Sequence, residues 1–296
     1  MQLSDTHFLE RGLEAEGGGA YDTSLAFEHV LEHLGDHDHY DFVAVTGDIA
    51  DHGRPAQYEL AAAALRRLQA DVKVCPGNHD ADEALRAHLD GADISMPRVV
   101  ELGAWAFLFV DSNAGVMEPD DSGRLVDPPG DARLHNDGVL ADAEADWVRD
   151  ACSRTAADHV FIWVHHPPSH DLPALSRNAP YTEAWRALLA DLPAVRGLGG
   201  GHTHVPAEYD LDGRPVIVAP SFKNNFDLEA AIWLPPGYRT YAFAPDGSVT
   251  SEVHLLEHHD EHWPQRRMGR AIKALFAGEL THAELAEIAA RRHGDR

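Results

Sequence analysis

The segment Pro76–Asp80 (PGNHD) constrains the fold most, because it places chemically active side chains directly after a buried strand. The preceding residues, Ala70–Cys75 (ADVKVC), are largely apolar and β-branched, and the Pro-Gly pair ends them in a tight turn. We therefore expect Asn78 and His79 at the C-terminal end of a strand, where open α/β sheets bind their ligands. An Asn amide oxygen can hold a metal ion, and the adjacent His offers a second ligand or a proton donor.

Four other motifs place a carboxylate or an imidazole at the end of a predicted strand. Together with Asn78 they supply enough ligands for two metal ions that share a bridging carboxylate. The motifs are Asp5-Thr6-His7 after the apolar start, Gly47-Asp48 after Asp41–Thr46 (DFVAVT), His165-His166 after Val160–Val164 (VFIWV), and Gly201-His202-Thr203-His204 after Val195–Gly200.

The succession Asp-x-His, Gly-Asp, Gly-Asn-His-Asp, His-His-Pro-Pro and Gly-His-x-His resembles the calcineurin-like metallophosphoesterase superfamily. It is most similar to the branch of class III cyclic-nucleotide phosphodiesterases. The likeness continues through Gly213–Ser221 (GRPVIVAPS) and Asp227–Leu256, so it covers roughly residues 1 to 257. It implies an α/β protein, a four-layer αββα sandwich of two mixed β-sheets flanked by helices.

The resemblance also implies a dinuclear metal site that hydrolyses phosphoesters by attack of a hydroxide held between the ions. Asp48 would bridge the ions, and His79 would contact the phosphate or protonate the departing oxygen. Mixed His, Asp and Asn ligation suits Mn, Fe, Zn or Co, so the sequence leaves the identity of the metals open. One ion would be held by Asp5, His7, Asp48 and His204, and the other by Asp48, Asn78, His165 and His202.

Several neighbouring residues keep two interpretations. Asp80 either orients His79 through its other ring nitrogen or closes the turn as a cap. His166 is expected to line the pocket or support the ligands rather than bind metal. The glycines Gly199–Gly201 are expected to give the chain freedom to turn, so that His202 and His204 can face different ions. Weaker candidates for substrate contact are Phe222, Asn224 and Asn225, and the nearest candidate cations are Lys223 and Arg54.

Composition narrows the class of protein. The 296 residues carry a formal net charge of −25, which disfavours binding to a nucleic acid polymer or to an anionic membrane. Cys75 and Cys152 do not form a disulfide framework, and no apolar stretch approaches the length of a membrane span. We expect a cytoplasmic enzyme with a small-molecule phosphoester substrate. The sequence leaves open whether the enzyme forms a homodimer.

The remaining sequence predicts the order of the elements. Helices are predicted from about Thr23 to Leu34, over Pro55–Ala70 and over Ala81–Leu89, which alternate with strands as in a parallel sheet. The segment Ser112–Asp137, rich in Pro, Gly and Asp, is interpreted as an insertion that is either a lid or an acidic loop. Only Met1–Ser4 precede Asp5, and the sequence leaves open whether the first strand is short or begins further upstream.

A second unit is predicted after the catalytic domain of residues 1–257. Residues 258–296 begin with a His-rich linker and continue as a helical hairpin, Gln265–Ala277 and Thr281–Arg292. Thr281 and Glu284 have the spacing of a capping box. Three functions stay open at this point: a phosphodiesterase with cyclic nucleotides as candidate substrates, an enzyme for another small phosphate ester, and a non-catalytic scaffold on the same fold.

Overall fold

A computed structural model shows how the chain folds, and it describes residues 1–11, 13, 21–34, 39–113, 118–119, 125–126, 138–259, 261–281 and 284. The helices of these residues are α1 (Thr23–Leu34), α2 (Pro55–Leu65), α3 (Asp82–Leu89), α4 (Asp142–Arg154), α5 (Ala179–Ala190) and α6 (Arg270–Phe276). The predicted insertion lies largely outside them.

The strands of the first half of the chain are β1 (Gln2–Leu3), β2 (Val43–Thr46), β3 (Val72–Cys75), β4 (Ile94–Ser95), β5 (Val99–Leu102), β6 (Trp105–Val110), β7 (Glu118–Pro119) and β8 (Leu125–Val126). The second half contributes β9 (His159–Val164), β10 (Val195–Gly200), β11 (Glu208–Leu211), β12 (Arg214–Val218), β13 (Asn225–Asp227), β14 (Ile232–Leu234), β15 (Gly237–Phe243) and β16 (Val249–Leu255).

Two mixed sheets form the centre of the molecule. The first has the order β16-β15-β1-β2-β3-β4, with parallel pairing from β1 to β4 and antiparallel pairing of β15 with both neighbours. The second has the order β11-β12-β10-β9-β6-β5, in which the four central strands are parallel and the two edge strands antiparallel. The predicted pair of mixed sheets is confirmed.

Aromatic side chains fill the space between the sheets. Phe107, Phe161 and Trp163 of the second sheet pack in one buried cluster with residues of the first, and the rings of Trp163 and Tyr241 lie 5.2 Å apart. The helices cover the outer faces: α1, α2 and α3 pack in a cluster with the first sheet, and α4 and α5 with the second. The arrangement is therefore the predicted four-layer sandwich.

Most predicted element boundaries agree with the structure to within a few residues. Asp22 accepts a hydrogen bond from the amide of Leu25 at 3.0 Å, which caps the start of α1. Helix α2 ends at Leu65 and continues as a short 3₁₀ turn, Arg66–Leu68. None of the helices in the described ranges is both long and apolar enough to span a lipid bilayer.

Between residues 261 and 276 the C-terminal segment packs on the body of the protein. Trp263 is 1% exposed and belongs to the same core cluster as α1 and the first sheet, and Met268 and Phe276 pack with Phe226 of β13. The helix in this segment, α6, is shorter than the predicted Gln265–Ala277. Thr281 and Glu284 exchange the hydrogen bonds of the predicted capping box, and the residues after Glu284 lie outside the described ones.

Replacement of Trp263 tests this packing. Trp263→Ala removes a fully buried ring, so we expect the free energy of unfolding to fall by about 3–5 kcal/mol. Leu60→Ala, at a side chain that is 42% exposed, is the control and should change it by less than about 1 kcal/mol. Urea denaturation followed by circular dichroism measures both. Equal, small effects would mean that residues after 257 do not contribute to the core.

Candidate metal centre

The carboxyl ends of the parallel strands bring the predicted ligands together at one edge of the two sheets. Asp5 follows β1, Asp48 follows β2, Asn78 follows β3, His165 follows β9 and His202 follows β10. The β1–β2 and β9–β10 pairs lie in different sheets, so the candidate site lies where the two sheets meet.

Much of the site uses left-handed backbone. The φ angles are 52° at Asp5, 40° at His7, 52° at Asp48, 64° at His202 and 53° at His204. This conformation is uncommon for residues other than glycine, and such strain concentrates at functional sites. The turn of the His-x-His motif is made by the histidines themselves, because Gly199 and Gly200 lie in β10. The expectation that the glycines provide the turn is therefore wrong.

Two glycines serve close packing instead. A Cβ atom on Gly77 would overlap Asp48, and one on Gly201 would overlap Ser4 and Asp5. The absence of a side chain at these positions lets the loops after β3 and β10 approach the carboxylates.

Asp48 lies between two sets of side chains. Its Oδ1 is 3.3 Å from Nε2 of His165, and its Oδ2 is 3.5 Å from Nε2 of His7. The two oxygens of one carboxylate therefore face opposite halves of the site, as a bridging ligand requires.

Asn78 joins one half of the site. Its Oδ1 lies 3.0 Å from Nε2 of His165 and 3.0 Å from Nδ1 of His202. In the other half, Nε2 of His204 lies 3.2 Å from Oδ1 of Asp5. The second ring nitrogens of His165 and His204 are held by neighbours. Nδ1 of His165 is 2.8 Å from the carbonyl oxygen of Thr46, and Nδ1 of His204 contacts Asn224 Oδ1. These contacts fix which nitrogen of His165 and His204 faces the site.

Burial and charge set the protonation states. Burial lowers the pKa of His7 and of His202 to about 3, so both rings are neutral at pH 7 and offer a lone pair. Burial opposes ionisation of Asp5, but the adjacent His204 outweighs it and lowers the pKa of Asp5 to about 2. Burial likewise opposes protonation of His165, yet the Asp48 carboxylate raises the pKa of His165 to about 9. The site thus holds ionised carboxylates among imidazoles.

The donor set fits divalent transition metals. Groups of donor atoms within 4.8 Å of one another are Asp5-His7-His204, Asp5-Asp48-His165, His7-Asp51-His79 and His165-His166-His202. Buried imidazole and carboxylate donors of this kind are those that Mn, Fe, Zn and Co take.

Asp51 is a residue of this site that the sequence did not single out. Its Oδ1 lies 2.6 Å from Nζ of Lys223 and 3.0 Å from Nδ1 of His7, and its Oδ2 lies 3.1 Å from Nδ1 of His52. Burial opposes the ionisation of Asp51, but His7 and Lys223 outweigh it and hold the pKa of Asp51 well below its usual range. The contact with His7 leaves Nε2 of that ring directed at Asp48. The sequence feature that could have indicated Asp51 is its position three residues after Asp48.

His79 lies beside Asp48, and its ring is held by the backbone of Asp51 rather than by the side chain of Asp80. Its amide donates to Asp48 Oδ1 at 2.9 Å, and its Nδ1 lies 2.7 Å from the carbonyl oxygen of Asp51. A carbonyl can only accept, so Nδ1 of His79 carries a proton.

Asp80 closes the turn, as one of its two interpretations predicted. Its carboxylate accepts hydrogen bonds from the amides of Ile49, Ala50 and Gly77 and from the hydroxyl of Tyr58. Burial raises the pKa of Asp80 to about 6. Since Nδ1 of His79 is bonded to the carbonyl oxygen of Asp51, these contacts support the turn and not the orientation of His79.

The weaker candidates separate into two groups. Phe222 and Asn225 are 0% exposed, Phe222 packing against Phe27 and Asn225 bonding to the backbone of Ser221, so their predicted contact with substrate is wrong. Asn224 contacts His204. Lys223 is buried and ion-paired, and Arg54 precedes the first turn of α2.

Comparison with known proteins identifies the class to which this fold and site belong. A family model described as calcineurin-like phosphoesterase matches residues 1–206. The chain therefore belongs to the calcineurin-like phosphoesterases, which are metal-dependent phosphoric ester hydrolases, and the predicted family is confirmed.

Two relatives refine this comparison. The chain is 30% identical over 274 residues to the 3',5'-cyclic adenosine monophosphate phosphodiesterase CpdA of Escherichia coli K12, covering 86% of this chain and 89% of that protein. It is 27% identical over 248 residues to a cAMP/cGMP dual specificity phosphodiesterase of Mycobacterium tuberculosis, covering 78% and 69%. A dimetal phosphatase from Danio rerio has a similar fold, with a TM-score of 0.55 at 14% identity over 81% of this chain and 93% of that one.

The buried pair of Lys223 and Asp51 gives a testable prediction. Lys223→Met leaves the Asp51 carboxylate without its cation, so we expect the free energy of unfolding to fall by about 3–5 kcal/mol. The double variant Asp51→Asn/Lys223→Met should regain part of that loss. Lys73→Met breaks a pair with Asp71, whose side chain is 53% exposed, and should cost less than about 1 kcal/mol. Equal losses in the two Lys variants, measured by urea denaturation, would contradict the prediction.

Proposed function

We propose that this protein is a dinuclear metal-dependent phosphodiesterase that hydrolyses 3',5'-cyclic nucleotides. The position of Asp48 carries the proposal, because one carboxylate offers an oxygen to each of two ligand sets. In this assignment one ion would be held by Asp5, His7, Asp48 and His204, and the other by Asp48, Asn78, His165 and His202. When bound, two ions of this kind neutralise the phosphoryl charge and lower the pKa of a bound water.

His79 is the proposed catalytic acid or phosphate contact. The hydrogen bond of its Nδ1 to the Asp51 carbonyl holds the ring in place, and its amide bond to Asp48 ties it to the bridging position. The ring of His79 lies 4.7 Å from that of His7, so the ring stands beside the proposed ligands. In the imidazolium form of His79, Nε2 carries a second proton, and its delivery to the departing oxygen would accompany the cleavage of the P–O bond.

The charge around the site favours a diester over a monoester. A monoester dianion needs cationic partners beyond the metals. Lys223, the buried cation next to the site, is already paired with Asp51, and its side chain is only 6% exposed. The names of the bacterial relatives give cyclic nucleotides as the substrates of those proteins. A cyclic nucleotide is a diester with a single negative charge. The metals are proposed from among Mn, Fe, Zn and Co.

We also propose a cellular compartment for the enzyme and a division of the chain into two units. Cys75 and Cys152 are free thiols, as in a reducing cytoplasm. All of the proposed ligands precede residue 257, and we retain 1–257 as the catalytic unit and 258–296 as its extension.

The roles of Asp48 and His79 can be separated. Asp48→Ala should lose bound metal and activity together, since it removes a ligand from both ions. His79→Ala should keep both ions and lower kcat by about 10²–10⁴-fold, because only proton transfer is lost. Metal analysis of the purified variants measures the first property and hydrolysis the second, with His88→Ala on α3 as the control. Loss of an ion from His79→Ala would make His79 a ligand.

The substrate class is tested on metal-reconstituted protein. We expect hydrolysis of cyclic AMP, a higher kcat/KM for bis(p-nitrophenyl) phosphate than for p-nitrophenyl phosphate, and loss of all activity on chelation. Mn²⁺ or another divalent transition ion should restore it. Preference for the monoester would favour a phosphatase, and a fully metal-loaded protein that cleaves no phosphoester would overturn the enzymatic proposal.

A further inference from the structure

Asp51 contacts the ring nitrogen of His7 that does not face Asp48. Oδ1 of Asp51 lies 3.0 Å from Nδ1 of His7, whereas Oδ2 of Asp48 lies 3.5 Å from Nε2. The side chains of His7 and Asp51 are each 1% exposed, so solvent screens this contact little. One buried imidazole therefore lies between two carboxylates, and each of its nitrogens faces one of them.

The proposed ligand set decides which nitrogen of His7 carries the proton. A neutral imidazole has one N–H group and one lone pair, and an ion bound at Nε2 takes the lone pair. The N–H group is then on Nδ1, next to a carboxylate. The two atoms lie within hydrogen-bond distance, although the ring is not aligned for a bond of good geometry in this structure. Histidines that bind a metal ion through one nitrogen usually donate from the other, and Asp51 is in place as that acceptor.

Lys223 keeps Asp51 a charged acceptor. Its Nζ lies 2.6 Å from the same Oδ1, with only 6% of the Lys223 side chain exposed. The backbone of Lys223 is fixed as well, because its carbonyl oxygen accepts from the amide of Tyr21 at 2.8 Å and its amide donates to Ser221 Oγ at 3.0 Å. A charged acceptor forms a stronger hydrogen bond than a neutral one, so the pair with Lys223 favours donation from His7.

The backbone also ties Asp51 to the segment that carries His7. The amide of Asp51 donates to the carbonyl oxygen of Phe8 at 3.2 Å, and the amide of Phe8 donates to that of Ile49 at 2.8 Å. Phe8 follows His7 directly, so both side chains extend from backbone that is already paired. Little further entropy is lost when the carboxylate and the ring are held together.

We propose that Asp51 is a positioning residue for the metal centre, whose carboxylate accepts the Nδ1 proton of His7 and directs Nε2 of that ring to an ion. The inference rests on the proposed function, because it takes His7 as a ligand. Asp51 is not itself a ligand in this proposal, since Lys223 contacts its Oδ1 and His52 its Oδ2. Donor atoms of Asp51, His7 and His79 also lie within 4.8 Å of one another, so the experiment has to separate positioning from direct binding.

Zinc is the probe, and competition with a chelating dye measures its affinity. The double variant Asp51→Asn/Lys223→Met removes the charged acceptor without changing the net charge. It should still bind two ions at saturating zinc, with the affinity for one of them about 10–100-fold weaker. Asp71→Asn/Lys73→Met is the matched control, because it makes the same substitutions in a pair at the start of β3 whose Asp71 side chain is 53% exposed. The control should keep both affinities. Unchanged affinity in the first variant would overturn the proposal, and so would loss of a whole ion, which would make Asp51 a ligand.

Proton-detected ¹⁵N NMR of the zinc-loaded protein distinguishes positioning from general damage to the site. In the wild type the Nδ1 proton of His7 should resonate far downfield, as expected for donation to a carboxylate, and in Asp51→Asn/Lys223→Met it should move upfield. The Nδ1 proton of His165, which lies 2.8 Å from the carbonyl oxygen of Thr46 when measured from its nitrogen, is the internal reference and should not move. Movement of both signals, or of neither, would overturn the role of Asp51.

Failure of the proposed function would give a different result. Wild-type protein that does not bind two ions, or that hydrolyses no phosphoester with any of the proposed metals, would overturn the proposed function. An active wild type whose zinc affinity and His7 signal are unaffected by the double variant would overturn only the role of Asp51.

Discussion

The rest of the site depends on keeping the Asp48 carboxylate ionised in the interior. The residue is 2% exposed, and burial alone would favour its neutral form. His165, His79 and His7 outweigh burial and hold the pKa of Asp48 well below its usual value. An unpaired buried charge costs several kcal/mol, so the imidazoles around Asp48 contribute to the stability of the fold. Divalent ions would take over the same compensation, and for this reason the groups that stabilise the fold around Asp48 are also the candidate ligands.

The two sheets position the charged side chains of the site. Parallel strands bring their following loops to one edge, and the loop after β2 is bonded to Asp5, His7 and Phe8 through their amides. Because these bonds define the backbone, Asp5, His7 and Asp48 can adopt left-handed φ angles that a free loop would avoid. The strained backbone turns each side chain away from its own strand and toward the common centre.

The sequence predicts the site well where the relevant pattern is local. Each strand-end motif follows an apolar run, so the residue order alone places Asp48, Asn78 and His165 at one edge of the sheets. Prediction fails where the partner is distant along the chain. Lys223 reaches Asp51 across 172 residues, and nothing near either residue indicates the pair. The sequence also does not predict the left-handed φ angles of His202 and His204, because the adjacent glycines offer a simpler explanation of the turn.

The C-terminal segment connects to the metal centre by a chain of contacts. Phe276 of α6 packs on Phe226, with ring centroids 4.9 Å apart, and the amide of Phe226 donates to the carbonyl oxygen of His204 at 2.9 Å. Trp233 of the paired strand β14 donates its amide to the carbonyl oxygen of Arg266. The hairpin of β13 and β14 is thus held between the C-terminal segment and His204. The C-terminal segment therefore supports the backbone of His204 through this hairpin, even though every candidate ligand lies before residue 257.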